Sequence, residues 1–385
     1  MTCLCLLAVS VQVAAQQEVV YEQVRKLRHL VAGNRYIVVA AKEDMAMGWQ
    51  DGNNRKAVSI TGTRKDSVIT GIAVATAREE KDKVYEFILG GETGKWTFYD
   101  DIYQGYLYAA SQNDKDNCLY LEKTASSNRT KASVGGKIDD IKVTFAPNDK
   151  SLTHKVLAYN STSRLFSCYT SYSAITLYRK RVGLLSISRF GSATYNSPEY
   201  SYEMPEGCVG YAVTCGEDSL TLVGRYCAGD AVPANTPLLI QGAEGIYHLY
   251  ETARTAASLE DGGNLLHADF DADGNITYDI GNRESNYYYK LGTRGGENIG
   301  FYWGAEDGAP FRMKGTERAY LVLPRQRSQV RGLVLDEART ETAVTLPGHI
   351  RKPAGGLHDL SGRPCQGNPA PGIYVRDGRK VIVRR

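Results

Sequence analysis

The sequence predicts an all-β protein of several domains, on three observations. Tyrosine dominates the aromatic residues, with 26 Tyr against 8 Phe and 3 Trp, and it suits half-buried strand faces where the ring packs and the hydroxyl reaches water. The 39 glycines against 12 prolines indicate many tight turns. Helical periodicity is confined to residues 21–30, and the remainder alternates in short strands between turn residues. A chain of 385 residues is also too long for one ordinary core.

The first 180 residues contain an internal repeat. Segment 105–109, Gly-Tyr-Leu-Tyr-Ala, is followed by a strand at 117–120, and a similar pair recurs about fifty positions later at 155–159 and 167–169. A looser copy begins at 35–40. Three copies of a four-strand unit predict a β-trefoil-like fold or a related closed barrel, because closure removes the unpaired edges of a tyrosine-rich sheet.

The rest of the chain predicts further domains. Residues 183–336 read as a second β region without visible repeats, for which a β-sandwich-like domain is the natural prediction. Residues 337–356 are rich in Pro and Gly and read as a linker, and residues 357–385 predict a C-terminal hairpin tail. The repeat domain is placed at residues 16–180, after a signal peptide at 1–15.

The N-terminal 15 residues predict export. An apolar core at 4–9 precedes the small residues Val13, Ala14 and Ala15 that a signal peptidase requires, so the mature chain should begin near Gln16. The alternative is a buried first strand. The prediction places the protein outside the cell or on the outer cell surface. No other run approaches the 18 or so apolar residues of a membrane span, so no transmembrane span is predicted.

Charge and cysteine usage narrow the class of partner. Residues 340–385 hold eight Lys/Arg and three Asp/Glu, so they contribute +5 to the net charge of +3 and leave −2 for the rest. A body so near neutrality lacks the basic face that nucleic-acid binding requires.

Outside the signal segment no C-x-x-C pair occurs, which argues against a zinc ribbon. For the six remaining cysteines, buried thiols are the favoured interpretation: Cys118, Cys168, Cys208, Cys215, Cys227 and Cys365. The alternative is a disulfide across a hairpin between Cys208 and Cys215.

Motifs for catalysis are missing from the sequence. Its six histidines form no HExxH or H-x-H pattern, no G-x-S-x-G elbow occurs, and residues 90–96 lack the spacing of a phosphate-binding loop. An enzyme of this length usually shows one strong nucleophile, metal or phosphate signature. We therefore predict a protein that is not an enzyme.

The sharpest cluster of metal-type ligands lies at residues 269–274. Asp269, Asp271, Asp273 and Gly274 match positions 1, 3, 5 and 6 of a calcium loop, but the glutamate of the last position is replaced by Ile280. A strand ending in an Asp-Gly hairpin turn is the favoured interpretation. Calcium at these three aspartates is the weaker alternative, and no other cofactor is implied.

The aromatic residues suggest sugars as one kind of ligand, provided that their rings are exposed. Trp49, Trp96, Trp303 and the tyrosines have the ring faces on which sugars stack. Packing in the core is the favoured reading for each of them, and the alternation of Trp96 with Phe98 predicts that both face the barrel interior.

Several segments resemble secreted proteins of the Bacteroidetes. Residues 87–91 and 105–110, with 165–169, resemble a module that occurs there alone or beside extracellular nuclease and other enzyme domains. Residues 232–242, with 300–304 and 314–323, are similar to a β module of cell-surface proteins of the same group. This resemblance implies a location rather than a chemistry.

The C-terminal tail is similar to the sorting segment of type IX secretion cargo, through residues 357–363, 372–375 and 380–383. The resemblance implies that the secretion machinery recognises the tail. Six residues carry the match: Leu360, Gly362, Arg363, Gly372, Tyr374 and Lys380.

Taken together, these patterns predict a secreted or surface-exposed binding protein whose ligand is a glycan or a host polymer. Two alternatives stay open at this stage. One is an accessory or truncated, non-catalytic part of an extracellular hydrolase such as a nuclease, peptidase or glycosidase. The other is a structural surface protein.

Overall fold

The structure is a computed structural model, and it places the chain in two compact units, Met1–Thr340 and Glu341–Arg385. The residues that it describes are 19–112, 115–146, 152–170, 173–215, 220–256, 263–294, 298–315, 317–326, 331–335, 372–376 and 379–383. The predicted signal peptide and linker, with Cys365 and the tail residues Leu360, Gly362 and Arg363, lie outside them.

The described part of the chain is all-β, which confirms the predicted class. The strands before residue 190 are β1 (Val20–Gln23), β2 (Arg35–Ala40), β3 (Met45–Asp51), β4 (Asn54–Ser59), β5 (Thr63–Lys65), β6 (Val68–Thr70), β7 (Phe87–Gly90), β8 (Thr97–Asp100), β9 (Gly105–Gln112), β10 (Lys115–Glu122), β11 (Ala132–Lys137), β12 (Asp140–Phe145), β13 (Val156–Asn160), β14 (Leu165–Tyr169) and β15 (Ile175–Ile187).

The later strands are β16 (Ser192–Tyr195), β17 (Tyr202–Glu203), β18 (Cys208–Cys215), β19 (Leu220–Tyr226), β20 (Ala231–Val232), β21 (Leu238–Gly242), β22 (Gly245–Tyr250), β23 (Leu266–His267), β24 (Asn286–Arg294), β25 (Asn298–Trp303), β26 (Tyr320–Pro324), β27 (Gly332–Val334), β28 (Gly372–Arg376) and β29 (Arg379–Val383). The helical segments of the described residues are 3-10 turns at Leu27–His29, Asn128–Thr130, Ile280–Ser285 and Glu306–Gly308.

Six strands of the first half form a closed ring. In the order β2, β7, β8, β11, β12 and β15, each strand pairs with the next, and β15 pairs back with β2. The link between β8 and β11 is made just before β8, where Trp96 and Ala132 exchange backbone hydrogen bonds of 2.8 and 2.7 Å. Trp96 and Phe98 are both buried, as their alternation predicted.

Three hairpins, β3–β4, β9–β10 and β13–β14, accompany the ring. They contact one another: β4 pairs with β14, and the Ser167 hydroxyl donates to the carbonyl of Asn117 at 2.5 Å. The amide of Leu119 donates to the carbonyl of Asn53 at 2.8 Å. The hydrophobic core of the first half lies inside the ring and under these hairpins.

A fully buried ion pair lies in this core. The side chains of Arg55 and Asp100 are both 0% exposed, and the guanidinium Nη2 donates to Asp100 Oδ2 at 2.6 Å. The second carboxylate oxygen accepts the backbone amides of Ile102 and Tyr103, each at 2.9 Å. Arg55 also lies 5.0 Å from the ring centre of Tyr103 and donates to the carbonyl of Gly48 at 3.2 Å. The pair therefore fixes strand β4 to the turn that follows β8.

The amphipathic stretch at residues 21–30 is not a helix, so the helical prediction there was wrong. Its first residues form β1, which pairs with β15 and β6, and only Leu27–His29 makes a 3-10 turn. Tyr21 is buried between these strands. Long-range pairing of a segment rich in Val and Tyr thus overrides a helical pattern that is only three turns long.

Strand β15 joins the two halves. After pairing with β2 and β12 it continues to Ile187 and pairs with β22, where Leu185 faces Tyr247. The chain therefore crosses the predicted boundary at residues 181–183 inside a strand rather than a linker. Independent folding of residues 16–180 and 183–336 stays a prediction.

The second half is layered around a four-stranded sheet, β16–β21–β18–β19. Leu238 and Ile240 pack on one side with residues of β15 and β22, while Leu239 packs on the other side with the five-stranded sheet β23–β26–β24–β25–β27. All three residues of the apolar run 238–240 are buried. A continuous apolar run is typical of a strand that is covered on both faces of its sheet.

The second compact unit contains one described element, the hairpin β28–β29, with Gly372 opposite Val383 and Val375 opposite Lys380. In the part of the chain that the structure describes, no helix has the length and apolar character to cross a membrane.

Candidate functional site

A row of half-buried tyrosines lies on the outer face of β8, β9 and β10. Tyr99 is opposite Tyr106 with ring centres 4.8 Å apart, and Tyr108 is opposite Tyr120 with ring centres 5.9 Å apart. We call these four residues the tyrosine face.

Strand alternation places the tyrosines outward. In β9, Leu107 and Ala109 are buried in the core while Tyr106 and Tyr108 lie on the opposite side. Cross-strand pairing then brings the ring of Tyr99 in β8 against Tyr106 and a ring of β10 against Tyr108. Directly opposed residues of an antiparallel pair lie within contact distance. Tyr120 is one of these partners.

An ion pair borders the tyrosine face. Arg129 donates two hydrogen bonds to the carboxylate of Glu122, at 2.6 and 2.9 Å, and its guanidinium carbon lies 4.2 Å from the ring centre of Tyr108. The hydrogen bonds from Arg129 lower the pKa of Glu122, which holds the carboxylate ionised. The surface thus combines apolar ring faces with fixed polar groups.

A second group of charged side chains lies where the two halves meet. Lys180 Nζ is 2.6 Å from Glu251 Oε2 and 3.2 Å from Glu86 Oε1, and Arg35 is 3.0 Å from Glu251 and 3.7 Å from Glu86. We call Arg35, Glu86, Lys180 and Glu251 the charged seam. The hydroxyl of Tyr21 also donates to Glu86.

The charges of the seam compensate one another. Burial opposes the charge of Lys180, but the carboxylates of Glu86 and Glu251 outweigh it and raise the pKa of the ammonium. The residues come from β2, β15 and segments beside β7 and β22. Their mutual pairing indicates a structural connection between the halves rather than a binding site.

Two of the three aspartates of the candidate calcium loop, Asp271 and Asp273, lie in a turn. Phe270 pairs with Ile276, and between them Asp271 accepts hydrogen bonds from the amides of Asp273 at 2.9 Å and Asn275 at 2.8 Å. Its second oxygen accepts the Asn275 side-chain amide at 2.8 Å. Asp269 lies 3.9 Å from His267, outside this turn. Among the described residues, no group of three or more His, Cys, Asp or Glu side chains could hold a metal ion.

The other residues singled out by the sequence fall in several places. Gly372 and Tyr374 lie in β28 and Lys380 in β29. Trp49 is half-buried and packs against the core of the first half, and Trp303 is half-buried with its ring centre 5.1 Å from that of Tyr287. Cys118, Cys168 and Cys208 are buried thiols, and Cys227 is a partly exposed one.

Known proteins give little guidance. No family model matches the chain, and no curated protein matches it. Among solved structures, it is similar to a chain of the lysenin pore, with 13% identity and a TM-score of 0.26. The match covers 43% of this chain and 49% of the other, so it spans about half the length of that chain. A similarity at this level carries no argument about function.

Proposed function

We propose that this chain is a secreted or surface-exposed binding protein, without catalytic activity, that recognises a glycan or host polymer through the tyrosine face. The observation that carries the proposal is the row of paired rings beside the Arg129–Glu122 ion pair. Ring faces stack on the apolar side of a sugar, and the fixed guanidinium and carboxylate supply donors and acceptors for its hydroxyls.

We further propose that residues 16–180 form a β-trefoil and residues 183–336 a β-sandwich-like domain. Support for the trefoil comes from twelve strands in three sets of four (β2–β4 with β7, β8–β11 and β12–β15), of which six form the ring and six the three hairpins. Support for the sandwich comes from the core between the four- and five-stranded sheets.

Replacing Tyr106 by alanine should weaken glycan binding at least about tenfold, because the removed ring is a direct stacking partner. A printed array of bacterial and host glycans identifies the ligand, and calorimetry with the best binder measures the change. Tyr278→Ala is the matched control, since Tyr278 is 39% exposed but lies far along the chain, stacked on His267. Equal losses in the two variants, or no glycan bound by the wild type, would contradict the proposal.

The tail is proposed to be a secretion address recognised by a type IX system. Deleting residues 356–385 should leave the melting temperature of the remainder unchanged within about 1 °C, because an isolated two-stranded hairpin adds little stability, and it should abolish surface display. Calorimetry measures the first effect, and antibody labelling of intact cells with type IX secretion measures the second. A strongly destabilised remainder, or unchanged display, refutes this role.

A further inference from the structure

A cleft of about 470 Å³ opens in the second half, between the β15–β16 segment and strands β24 and β25. This volume lies within the range of about 300–1,000 Å³ that is usual for sites of small molecules. The cleft shares no residue with the tyrosine face, so it requires a separate account.

The walls of the cleft combine hydroxyl groups with an apolar surface. Ser188, Ser192, Thr194 and Thr293 line it. On the apolar side, Leu184 is 44% exposed, which is unusual for a large aliphatic side chain and leaves it accessible to a ligand. Such a lining suits a small molecule that has several hydroxyls and one apolar face.

Glu317 belongs to the lining of this cleft. Glu317 is half-buried, and among the residues that the structure describes none forms an ion pair with its carboxylate or donates a hydrogen bond to it. Burial raises the pKa of Glu317, and the neighbouring Arg318 opposes this shift only in part. Arg318 also lines the cleft, but it is exposed and therefore solvated. A partly desolvated, unpaired carboxylate is costly, and a cationic ligand group would relieve that cost.

We propose that the cleft binds an amino sugar, with the ammonium group of the ligand on Glu317 and its hydroxyls on the Ser and Thr side chains. The ammonium and Glu317 form a charge-assisted hydrogen bond, which is the strongest contact available in the cleft. The apolar face of the sugar ring packs against Leu184. This inference is independent of the function proposed for the tyrosine face.

Calorimetric titration of the full chain with glucosamine, and in parallel with glucose, tests the assignment. Glucosamine should bind about tenfold to a hundredfold more tightly than glucose, because the charge-assisted hydrogen bond is made only by the amine. Glu317→Gln preserves the shape of the side chain and should reduce glucosamine binding to the level of glucose. Glu206→Gln, at an exposed position of the same half, is the matched control and should leave binding unchanged.

Three results would overturn the proposal: no binding of glucosamine, equal affinities for glucosamine and glucose, or full affinity in Glu317→Gln. Tyr106→Ala separates the two sites, since it should weaken only the ligand of the tyrosine face. Loss of glucosamine binding in Tyr106→Ala, with binding unchanged in Glu317→Gln, would show that glucosamine binds at the tyrosine face. It would contradict the site proposed in the cleft.

Discussion

Replacing Asp100 by alanine should lower the free energy of unfolding by about 3–5 kcal/mol, the usual effect of leaving a buried charge without its partner. Arg55 would keep its guanidinium at 0% exposure among aromatic rings, with only the Gly48 carbonyl as an acceptor. The amides of Ile102 and Tyr103 would lose their acceptor as well. Urea unfolding followed by tryptophan fluorescence measures the change.

Two further variants separate the charge from the space it occupies. Asp100→Asn retains an oxygen for the two turn amides, so it should lower the free energy of unfolding by less than Asp100→Ala does. Combining Arg55→Met with Asp100→Leu removes both charges and should recover stability relative to Asp100→Ala alone, because apolar side chains can replace a buried ion pair. A double variant less stable than Asp100→Ala would show that the pair acts through shape and not through charge.

Replacing Lys180 by methionine should lower the free energy of unfolding by about 2–4 kcal/mol, somewhat less than for a fully buried pair. The Lys180 side chain is 10% exposed, and its ammonium group pairs with the carboxylates of both Glu86 and Glu251. Without it Arg35 alone faces both acids, at 3.7 and 3.0 Å. Because the seam joins the halves, calorimetry should resolve two thermal transitions in the variant where the wild type shows one.

The matched control is Lys56→Met. Lys56 lies 3.2 Å from Asp51 in an ion pair whose side chains are 36% and 55% exposed. Such a surface pair contributes less than about 1 kcal/mol. Equal effects of the two lysine variants would mean that the charged seam does not couple the halves. Two transitions already present in the wild type would instead support the independent domains predicted from the sequence.

The sequence was informative where the pattern is local. Alternation in Gly105–Ala109 predicts a strand, places Leu107 inside and puts two tyrosines on the opposite face. It does not predict the tyrosine face itself, because Tyr99 and Tyr120 join that surface only through the register of β8 and β10. The repeat was detectable because the strand pair that begins at residue 105 recurs about fifty positions later.

The contacts that hold the fold together could not be predicted in this way. Arg55 and Asp100 are 45 residues apart, and Glu86 and Lys180 are 94 apart. Each stands among ordinary surface-type charges in the sequence, and only tertiary structure brings them together. Glu317 is likewise one acidic residue of many until tertiary structure places it in the lining of a cleft beside residues of β16, β24 and β25.

Closure of the ring constrains when the protein can fold during synthesis. Strand β2 pairs with β15, and the hydrogen bond from the Thr176 hydroxyl to the Val39 carbonyl spans 137 residues of chain. At 5–20 residues per second, translation of that interval takes about 7–27 s. During this interval one edge of β2 stays unpaired, because its partner strand β15 has not yet been synthesised. Contacts of such large sequence separation form late and slow folding. Until β15 has been synthesised, the ring of six strands in the first half therefore cannot close.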